Sequence, residues 1–222
     1  VRLDLYKPET LREEMNKLGY LLGDRDAADE YLDWYDGYVD EIDDRVSQIS
    51  EDDKPRVFLI STYGITDTDM KTYTEGTGMG QQCARVGGCN IGADLGVDTF
   101  PKVSVEWVLE QNPEVIAGGV SKGGWGADDD SEIVIEYDKI LDVPGFDNTG
   151  AVKNGRVHVI NNDILYTPAM PAGLVYLAKW FHPEVFADMD PQVIQQEYVD
   201  RFCGIDFDVT EEGAFVHPPL AS

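Results

Sequence analysis

The sequence predicts an α/β protein in which a mostly parallel central sheet is covered by helices on both faces. Three short apolar runs are typical of buried strands, at Arg56–Ile60, Glu114–Ala117 and Arg156–Ile160. Segments with helical periodicity lie between them, and this alternation favours parallel strands joined by crossover helices. A long helix is predicted before the first of these strands. The expected architecture is therefore a three-layer αβα lobe preceded by a long connecting helix.

The N-terminal part of the chain is predicted to form two helices. The LDL sequence at residues 3–5 is typical of the end of a strand, and Thr10 with Glu13 has the pattern of a capping box that would begin the first helix. Asp24 or Asp26 would begin the second helix. An apolar stripe of about six turns predicts that the second helix packs along the rest of the protein. Its residues recur three and four apart: Leu32, Tyr35, Val39, Ile42, Val46 and Ile49.

A glycine-rich loop follows the first predicted strand. The TEGTGMG sequence at Thr74–Gly80 is expected to lead into a helix near Gln81–Val86, and Ser104 is placed to cap another helix over Val105–Glu110. Glycine-rich loops of this kind can hold phosphate at a helix N-terminus. However, no lysine follows these glycines and no predicted strand directly precedes the loop, so phosphate binding is not the expected role.

The segment Ala151–Phe186 predicts a turn, a strand, a loop and a helix in that order. Gly155 can adopt positive φ in a tight turn after Asn154, and the strand Arg156–Ile160 follows it. Pro171 suits the first turn of a helix. Elsewhere the sequence predicts a glycine-rich loop at Gly118–Gly126, a segment at Ile133–Leu141 that fits helix better than strand, and a last helix from Asp190 to Cys203.

The chain is strongly acidic, with 43 Asp and Glu against 17 Lys and Arg and a net charge of −26. Nucleic acid is not an expected partner, because phosphate binding needs clustered Lys and Arg. The acidity is typical either of a salty habitat or of an ordinary acidic extracytoplasmic protein. No apolar run of about 18 residues is present to span a membrane. The chain begins inside patterned sequence, so we expect a mature fragment or part of a longer protein.

The chain has three cysteines. Cys83 and Cys89 flank Gly87 and Gly88, which would let the two cysteines approach each other. Outside the cytoplasm, a Cys83–Cys89 disulfide is therefore expected. The alternative is that both cysteines, together with Cys203, are free thiols.

Patterns of common catalytic sites are missing from the sequence. It has no G-x-S-x-G elbow, no H-E-x-x-H pair and no Walker A loop. Its histidines, His158, His182 and His217, are scattered and are better explained as structural residues. We therefore expect no enzymatic activity, no cofactor and no metal bound by protein side chains alone.

Aromatic and small polar residues follow the predicted strands at their carboxyl ends, where open α/β sheets bind ligands. Tyr63, Trp125 and Tyr166 follow the three strands in order, and Thr74 and Glu75 lie on the glycine-rich loop. Aromatic walls with a few polar groups suit a large, mostly apolar or chelated ligand. These five residues are the candidate ligand contacts; core packing is the alternative role for each aromatic.

Six segments resemble, in the same order, the class III solute-binding proteins that serve ABC importers of iron–siderophore and cobalamin type. The resemblance covers nearly the whole chain and is closer to archaeal iron-complex members than to bacterial cobalamin binders. The segments are LREEMNKLGYLLGDRDAADEYLDWYDGYVDEI, KPRVFLI, GGCNIGADLG, VSVEWVLEQNPEVIAG, AVKNGRVHVI and GLVYLAKWFHPEVF.

The resemblance implies two lobes joined by one rigid helix. Residues 1–23 would be the remnant of an N-terminal lobe and a crossover helix, residues 24–50 the inter-lobe helix, and residues 51–222 the C-terminal ligand-binding lobe. The loop Asn161–Met170 would form one wall of the cleft. The N-terminal lobe itself would be missing from this chain.

The resemblance also implies a function. The protein would bind a chelated metal such as iron–siderophore, haem or cobalamin, without changing it, and deliver it to an ABC permease. It would be extracytoplasmic, either membrane-anchored or periplasmic. Family members often dock through one carboxylate per lobe, yet the sequence ILYTPAM around Tyr166 has no acid. The alternatives are a standalone interaction or assembly domain of the same fold without a ligand, and a small α/β enzyme acting on a phosphorylated substrate.

Overall fold

The computed structural model describes residues 2–96 and 100–220. Within these residues, seven strands form a single mixed sheet, and nine α-helices cover its two faces. Val1, residues 97–99 and residues 221–222, which belong to the predicted segments 1–23 and 51–222, lie outside the described residues. The helices are α1 (Pro8–Leu22), α2 (Arg25–Val46), α3 (Gly78–Arg85), α4 (Val105–Gln111), α5 (Ser131–Leu141), α6 (Gly150–Lys153), α7 (Asn162–Leu165), α8 (Met170–Phe181) and α9 (Pro191–Tyr198). The strands are β1 (Arg56–Ser61), β2 (Asp69–Thr72), β3 (Cys89–Asn90), β4 (Lys102–Ser104), β5 (Val115–Val120), β6 (Val157–Asn161) and β7 (Val216–His217).

The centre of the sheet is parallel and its edges are antiparallel. The strand order is β4-β2-β1-β5-β6-β7, and β3 pairs in parallel with the start of β1. Strands β1, β5 and β6 are parallel neighbours, whereas β2, β4 and β7 pair antiparallel with their neighbours. The predicted three-layer α/β fold with a mostly parallel sheet is therefore confirmed, with short antiparallel strands added on both sides.

Alternate residues of β1 enter two separate hydrophobic cores. Val57 and Leu59 belong to the core beneath α1, α2, α3 and α8, whereas Phe58 and Ile60 belong to the core beneath α4, α5 and α6. This period of two follows from the pleat of a strand, which turns successive side chains to opposite faces. A strand buried on both faces reads as a continuous apolar run, which is why the sequence predicted it.

Helix α2 packs against the lobe along its length. The side chain of Asp24 caps it by accepting from the backbone N–H of Ala27, and the helix ends at Val46. Two hydroxyls on its buried face make long-range hydrogen bonds: Tyr31 donates to the carbonyl of Pro168 at 3.0 Å, and Tyr38 donates to the Glu197 carboxylate at 2.6 Å. The predicted long helix is confirmed with its apolar stripe from Leu32 to Val46, whereas Ile49 lies beyond the end of the helix. No helix within the described residues is both long and apolar enough to cross a bilayer.

The start of α1 differs from the prediction. Residues 3–5 are not part of a strand, and the helix begins at Pro8 with Lys7 at its N-cap. The hydroxyl of Thr10 donates to the carbonyl of Asp4 at 2.6 Å, so the predicted capping box is not formed. Proline is favoured at the first helical position because it has no N–H to satisfy there. That preference, rather than the Thr10 pattern, sets the helix start.

Strand β5 is longer than its apolar run indicated. It continues through Gly118 and Gly119, which the sequence analysis placed in a loop. A Cβ at Gly118 would lie 3.0 Å from the Cδ1 of Ile140, and one at Gly119 would lie 2.8 Å from the hydroxyl of Tyr73. These glycines let neighbouring side chains approach the strand closely. They are therefore part of β5 and not the start of a loop.

The predicted disulfide is not formed in the structure. Cys83 and Cys89 are both free, as is Cys203. Cys83 is fully buried on α3, and burial raises the pKa of its thiol. Cys89 is exposed at the start of β3. Gly87 and Gly88 allow the chain to turn between the two cysteines, but a turn does not by itself set the distance and dihedral angle that an S–S bond requires.

Acid is expected to destabilise the protein through His158 on β6. Its ring stacks on Trp180 of α8, with ring centroids 4.5 Å apart, and burial together with nearby Arg156 lowers its pKa to about 3. An unfolded chain protonates histidine first as the pH falls below about 6.5, which favours unfolding. About 2 kcal/mol of stability should therefore be lost between about pH 7.5 and about pH 5 through this group.

The measurement is urea unfolding at both pH values for the natural sequence and for His158→Phe. Phenylalanine keeps the stack on Trp180 but cannot titrate, so the variant should lose about 2 kcal/mol less on acidification. Equal losses in the two proteins would contradict the assignment to His158.

Candidate ligand-binding site

A cavity of about 700 Å³ opens where β1, β6 and α3 meet. Ser61 is the last residue of β1, Asn162 directly follows β6, and Thr77 and Gly78 are at the N-terminus of α3. The cavity therefore lies at the carboxyl ends of the parallel strands, the position at which open α/β sheets bind ligands. Tyr6 reaches it from the segment that precedes α1.

Aromatic rings form most of the apolar wall. Tyr73 and Phe100 contact each other edge to face, with ring centroids 5.1 Å apart. Burial raises the pKa of Tyr166 well above its usual value, and the neighbouring Tyr73 raises it further. Burial also raises the pKa of Tyr73. Both phenols carry their protons at neutral pH, and the two side chains are close enough to interact with each other. Tyr63 lies at the rim and is 79% exposed.

Among the described residues, Lys7 and Lys71 are the charged residues of this cavity, and its lining includes no Asp or Glu. The ammonium of Lys71 lies 5.3 Å from the ring centroid of Tyr63, within the range of a cation–π contact. Lys7 lies 5.9 Å from the ring of Tyr6 and 3.8 Å from the carboxylate of Glu9. In a chain of net charge −26, the cavity is locally positive.

The N-terminus of α3 adds to this positive character. The hydroxyl of Thr77 accepts from the N–H of Gly80 at 3.0 Å, and its carbonyl accepts from Gln81. The N–H groups of Gly78 and Met79 occupy the first two helical positions, which a helix leaves for an outside acceptor. A Cβ at Gly78 would lie 2.8 Å from the carbonyl oxygen of Tyr6, so only glycine allows the N-terminal segment to approach here.

A second cavity of about 730 Å³ shares Lys7 and Gly76 with the first. It holds the candidate residues Thr74 and Glu75. Thr74 is 2% exposed and its hydroxyl has no hydrogen-bond partner within the described structure. This second cavity also contains Glu9, Asp94 and Gln81 and is more polar than the first.

The structure brings together some of the predicted contacts and separates others. Tyr63 and Tyr166 line the first cavity, and Thr74 and Glu75 line the adjoining second cavity. Trp125 lines neither of these two cavities. Its ring packs against Phe207 and Phe215, with centroid distances of 5.1 and 4.8 Å. No helix or strand was predicted after Asp206, and two residues of this C-terminal tail, Phe207 and Phe215, cover the Trp125 ring.

Several lining residues were missed by sequence reasoning. Lys71 and Tyr73 are on or next to β2, a four-residue strand that the sequence did not reveal. Tyr6 and Lys7 were assigned to the remnant of another lobe. The cue that could have found Ser61 is its place at the carboxyl end of β1, beside Tyr63 in sequence.

The described lining of the cavity contains no His, Cys, Asp or Glu. His158, His182 and His217 do not line it. Across residues 2–96 and 100–220, no group of three or more His, Cys, Asp or Glu side chains is arranged to hold a metal ion. The cavity can therefore contact a ligand by stacking, by hydrogen bonds and by charge.

The chain is similar in sequence to known binding proteins. A family model described as periplasmic binding protein matches residues 3–164. The molybdate-binding protein MolA of Haemophilus influenzae is 27% identical over 164 residues, which make up 72% of this chain and 42% of MolA.

Solved structures share the fold. The TroA-like periplasmic binding protein FepB from Veillonella parvula superimposes with a TM-score of 0.81 at 23% identity, covering 96% of this chain and 62% of FepB. CeuE from Helicobacter pylori, solved with Ni(II) bound, gives a TM-score of 0.71 at 20% identity, covering 93% of this chain and 62% of CeuE. The chain thus spans less than two thirds of the length of these relatives. Because the family model matches most of its residues, the chain belongs to the periplasmic binding protein family.

Proposed function

We propose that this chain is the C-terminal lobe of the solute-binding component of an ABC importer, and that its ligand is a chelated metal such as iron–siderophore, haem or cobalamin. The observation that carries the proposal is the cavity lined by Tyr6, Tyr73, Phe100 and Tyr166 at the carboxyl ends of β1 and β6. It lies where this fold binds ligands. The role needs no chemical change of the ligand.

The character of the wall favours a chelate over a bare metal ion. Rings such as those of Tyr73 and Tyr166 suit a large conjugated or apolar surface, whereas a bare ion needs clustered ligating side chains, which the described residues do not provide. Relatives bind varied ligands: the MolA structure contains molybdate, CeuE contains Ni(II), and a Pseudomonas aeruginosa relative is a haem-binding protein. Their variety leaves the chelate class open to experiment.

The cavity is open, and we propose that an N-terminal lobe of the longer protein supplies its opposite wall. Tyr6 and Lys7 reach the cavity from the segment that would lead to that lobe. One wall alone would make roughly half the ligand contacts, and affinity falls exponentially as binding free energy is lost. The loaded protein would then dock on an ABC permease at the outer side of the membrane, held there by an anchor or by a periplasm.

The test is calorimetric titration of the protein carrying both lobes. The probes are a ferric catecholate siderophore, a ferric hydroxamate siderophore, haem, cobalamin, molybdate and Ni²⁺. We expect one chelate to bind, and Tyr166→Ala to weaken that binding about tenfold, because a stacked ring contributes roughly 1 kcal/mol or more.

Tyr20→Ala is the matched control. Tyr20 is 74% exposed at the end of α1 and does not line the cavity, so its loss should leave affinity unchanged. Thermal unfolding of each variant checks that the fold is kept. A protein that binds none of the probes would contradict the proposed function.

A further inference from the structure

We infer that the ligand of this protein carries net negative charge, and that Lys71 is the residue that selects for that charge. This inference rests on the proposed function and specifies its substrate class. It is carried by the placement of charge within the molecule.

The charges of the chain are sorted around the cavity. Acidic side chains outnumber basic ones by 43 to 17, yet the lining of the cavity, within residues 2–96 and 100–220, has two lysines and no carboxylate. Binding a neutral or cationic ligand would not require this exclusion. An anion placed against the general surface would instead meet repulsion, since like charges at short range disfavour each other. The electrostatic potential of the cavity is therefore expected to be more positive than that of the surrounding acidic surface.

Lys71 has no carboxylate partner among the described residues. The nearest candidate on its own strand, Asp69, is already paired with Lys102 at 2.8 Å on the neighbouring strand β4. Strand register places Lys71 beside Ser61, the last residue of β1. Lys71 lines the cavity with its ammonium 5.3 Å from the ring centroid of Tyr63, and its partner in register on β4 is Lys102. An ammonium left in this state is available to an anionic group.

The other polar groups of the cavity also suit an anion. Lys7 also lines the cavity, with its ammonium 3.8 Å from the Glu9 carboxylate, and the phenols of Tyr73 and Tyr166 carry their protons at neutral pH. The positive end of α3 opens into the same space. The carboxylates of Glu9, Glu75 and Asp94 lie in the second cavity, which shares Lys7 and Gly76 with the first. A bound anion would therefore lie on the Lys71 side.

The structure also removes the sequence-based objection to anion binding by the glycine-rich loop. That objection was the lack of a preceding strand and of a following lysine. Strand β2 does precede the loop, ending at Thr72. The lysines come from elsewhere in the chain: Lys71 from β2 itself and Lys7 from the N-terminal segment.

The test uses the two-lobed protein at an ionic strength of about 0.15 M, where long-range repulsion from the acidic surface is screened beyond about 8 Å. The probes are an anionic ferric tris-catecholate, an uncharged ferric tris-hydroxamate and molybdate. We expect an anionic probe to bind more tightly than the uncharged one. Lys71→Gln should weaken the anionic probe by about tenfold or more, since charged hydrogen bonds are worth about 1.5–3 kcal/mol.

Two further variants sharpen the result. Lys71→Arg keeps the charge and should retain most of the affinity. Lys122→Gln removes the same charge from a lysine that pairs with Glu132 and does not line the cavity, and should have little effect. Lys71-dependent binding of molybdate alone would support the negative charge of the ligand but contradict the proposed chelate. Lys71-dependent binding of the catecholate would identify an anionic chelate.

Two results would overturn the inference while leaving the proposed function standing. One is equal or tighter binding of the uncharged probe by the natural sequence. The other is anionic binding that Lys71→Gln leaves unchanged in a folded protein. If no probe in this panel or in the wider one binds, both the inference and the proposed function fail.

Discussion

Replacing Gly80 with alanine is expected to lower the free energy of unfolding by about 3 kcal/mol, since inserting atoms into a closed backbone site costs about this much. Gly80 is buried in the first turn of α3. A Cβ there would overlap the carbonyl oxygen of Thr74 and lie 2.9 Å from its carbonyl carbon. That carbonyl is held in place by the N–H and hydroxyl of Thr77, so it cannot move away without opening the turn.

Gly37→Ala is the matched control, because Gly37 is also helical. It lies within α2, and a Cβ there would meet nothing within 4 Å. Alanine is favoured over glycine in a helix by about 1 kcal/mol, so this variant should be stabilised. Urea unfolding of both variants measures the difference. Equal effects of the two substitutions would contradict the proposed rigidity of the Thr74–Thr77 turn.

The second large effect is expected at Lys179, near the end of α8. Its ammonium donates to three carbonyl oxygens: those of Phe186 at 3.1 Å, Ala187 at 3.0 Å and Met189 at 2.7 Å. One side chain thus fixes the connection between α8 and α9. Lys179→Met keeps the aliphatic stem but leaves three acceptors without this donor, which should cost about 3 kcal/mol.

The control for Lys179 must remove the same charge from the same acidic chain. Lys122→Met does so at a half-exposed ion pair with Glu132, 3.3 Å long, and such surface pairs contribute about 0–1 kcal/mol. Chemical unfolding should therefore separate the two lysines clearly. If Lys179→Met is no worse than Lys122→Met, the three carbonyl contacts do not hold the connection.

The central elements of the fold were predictable because their signals are local. Strands β1, β5 and β6 are buried on both faces and appear as continuous apolar runs, and α2 carries a regular stripe over many turns. Caps such as Ser104, which accepts from the N–H of Trp107, depend on residues only three apart. Each of these features can be recognised without knowing what packs against it.

The edges of the sheet and most of the cavity were not predictable for the opposite reason. Strands β2 and β7 are four and two residues long and exist through pairing with distant partners. Lys71 enters the cavity only because β2 pairs with β1. Trp125 lies outside this cavity because the C-terminal tail packs on it, with an isolated β-bridge between Gly124 and Ala214. Residue type at the end of a strand therefore pointed to Tyr63 and Tyr166, which line the first cavity, and to Trp125, which lines neither the first nor the second.

The short antiparallel strands at both ends of the sheet also affect how molecules of this protein meet one another. Strand β4 is three residues long, follows Pro101 and begins with Lys102, and β7 is followed by Pro218 and Pro219. Proline offers no N–H to a neighbouring chain, and a charged, brief edge gives an incoming strand little to extend. Added to mutual repulsion at a net charge of −26, these ends oppose edge-to-edge polymerisation, so the protein should tolerate crowding at high local concentration.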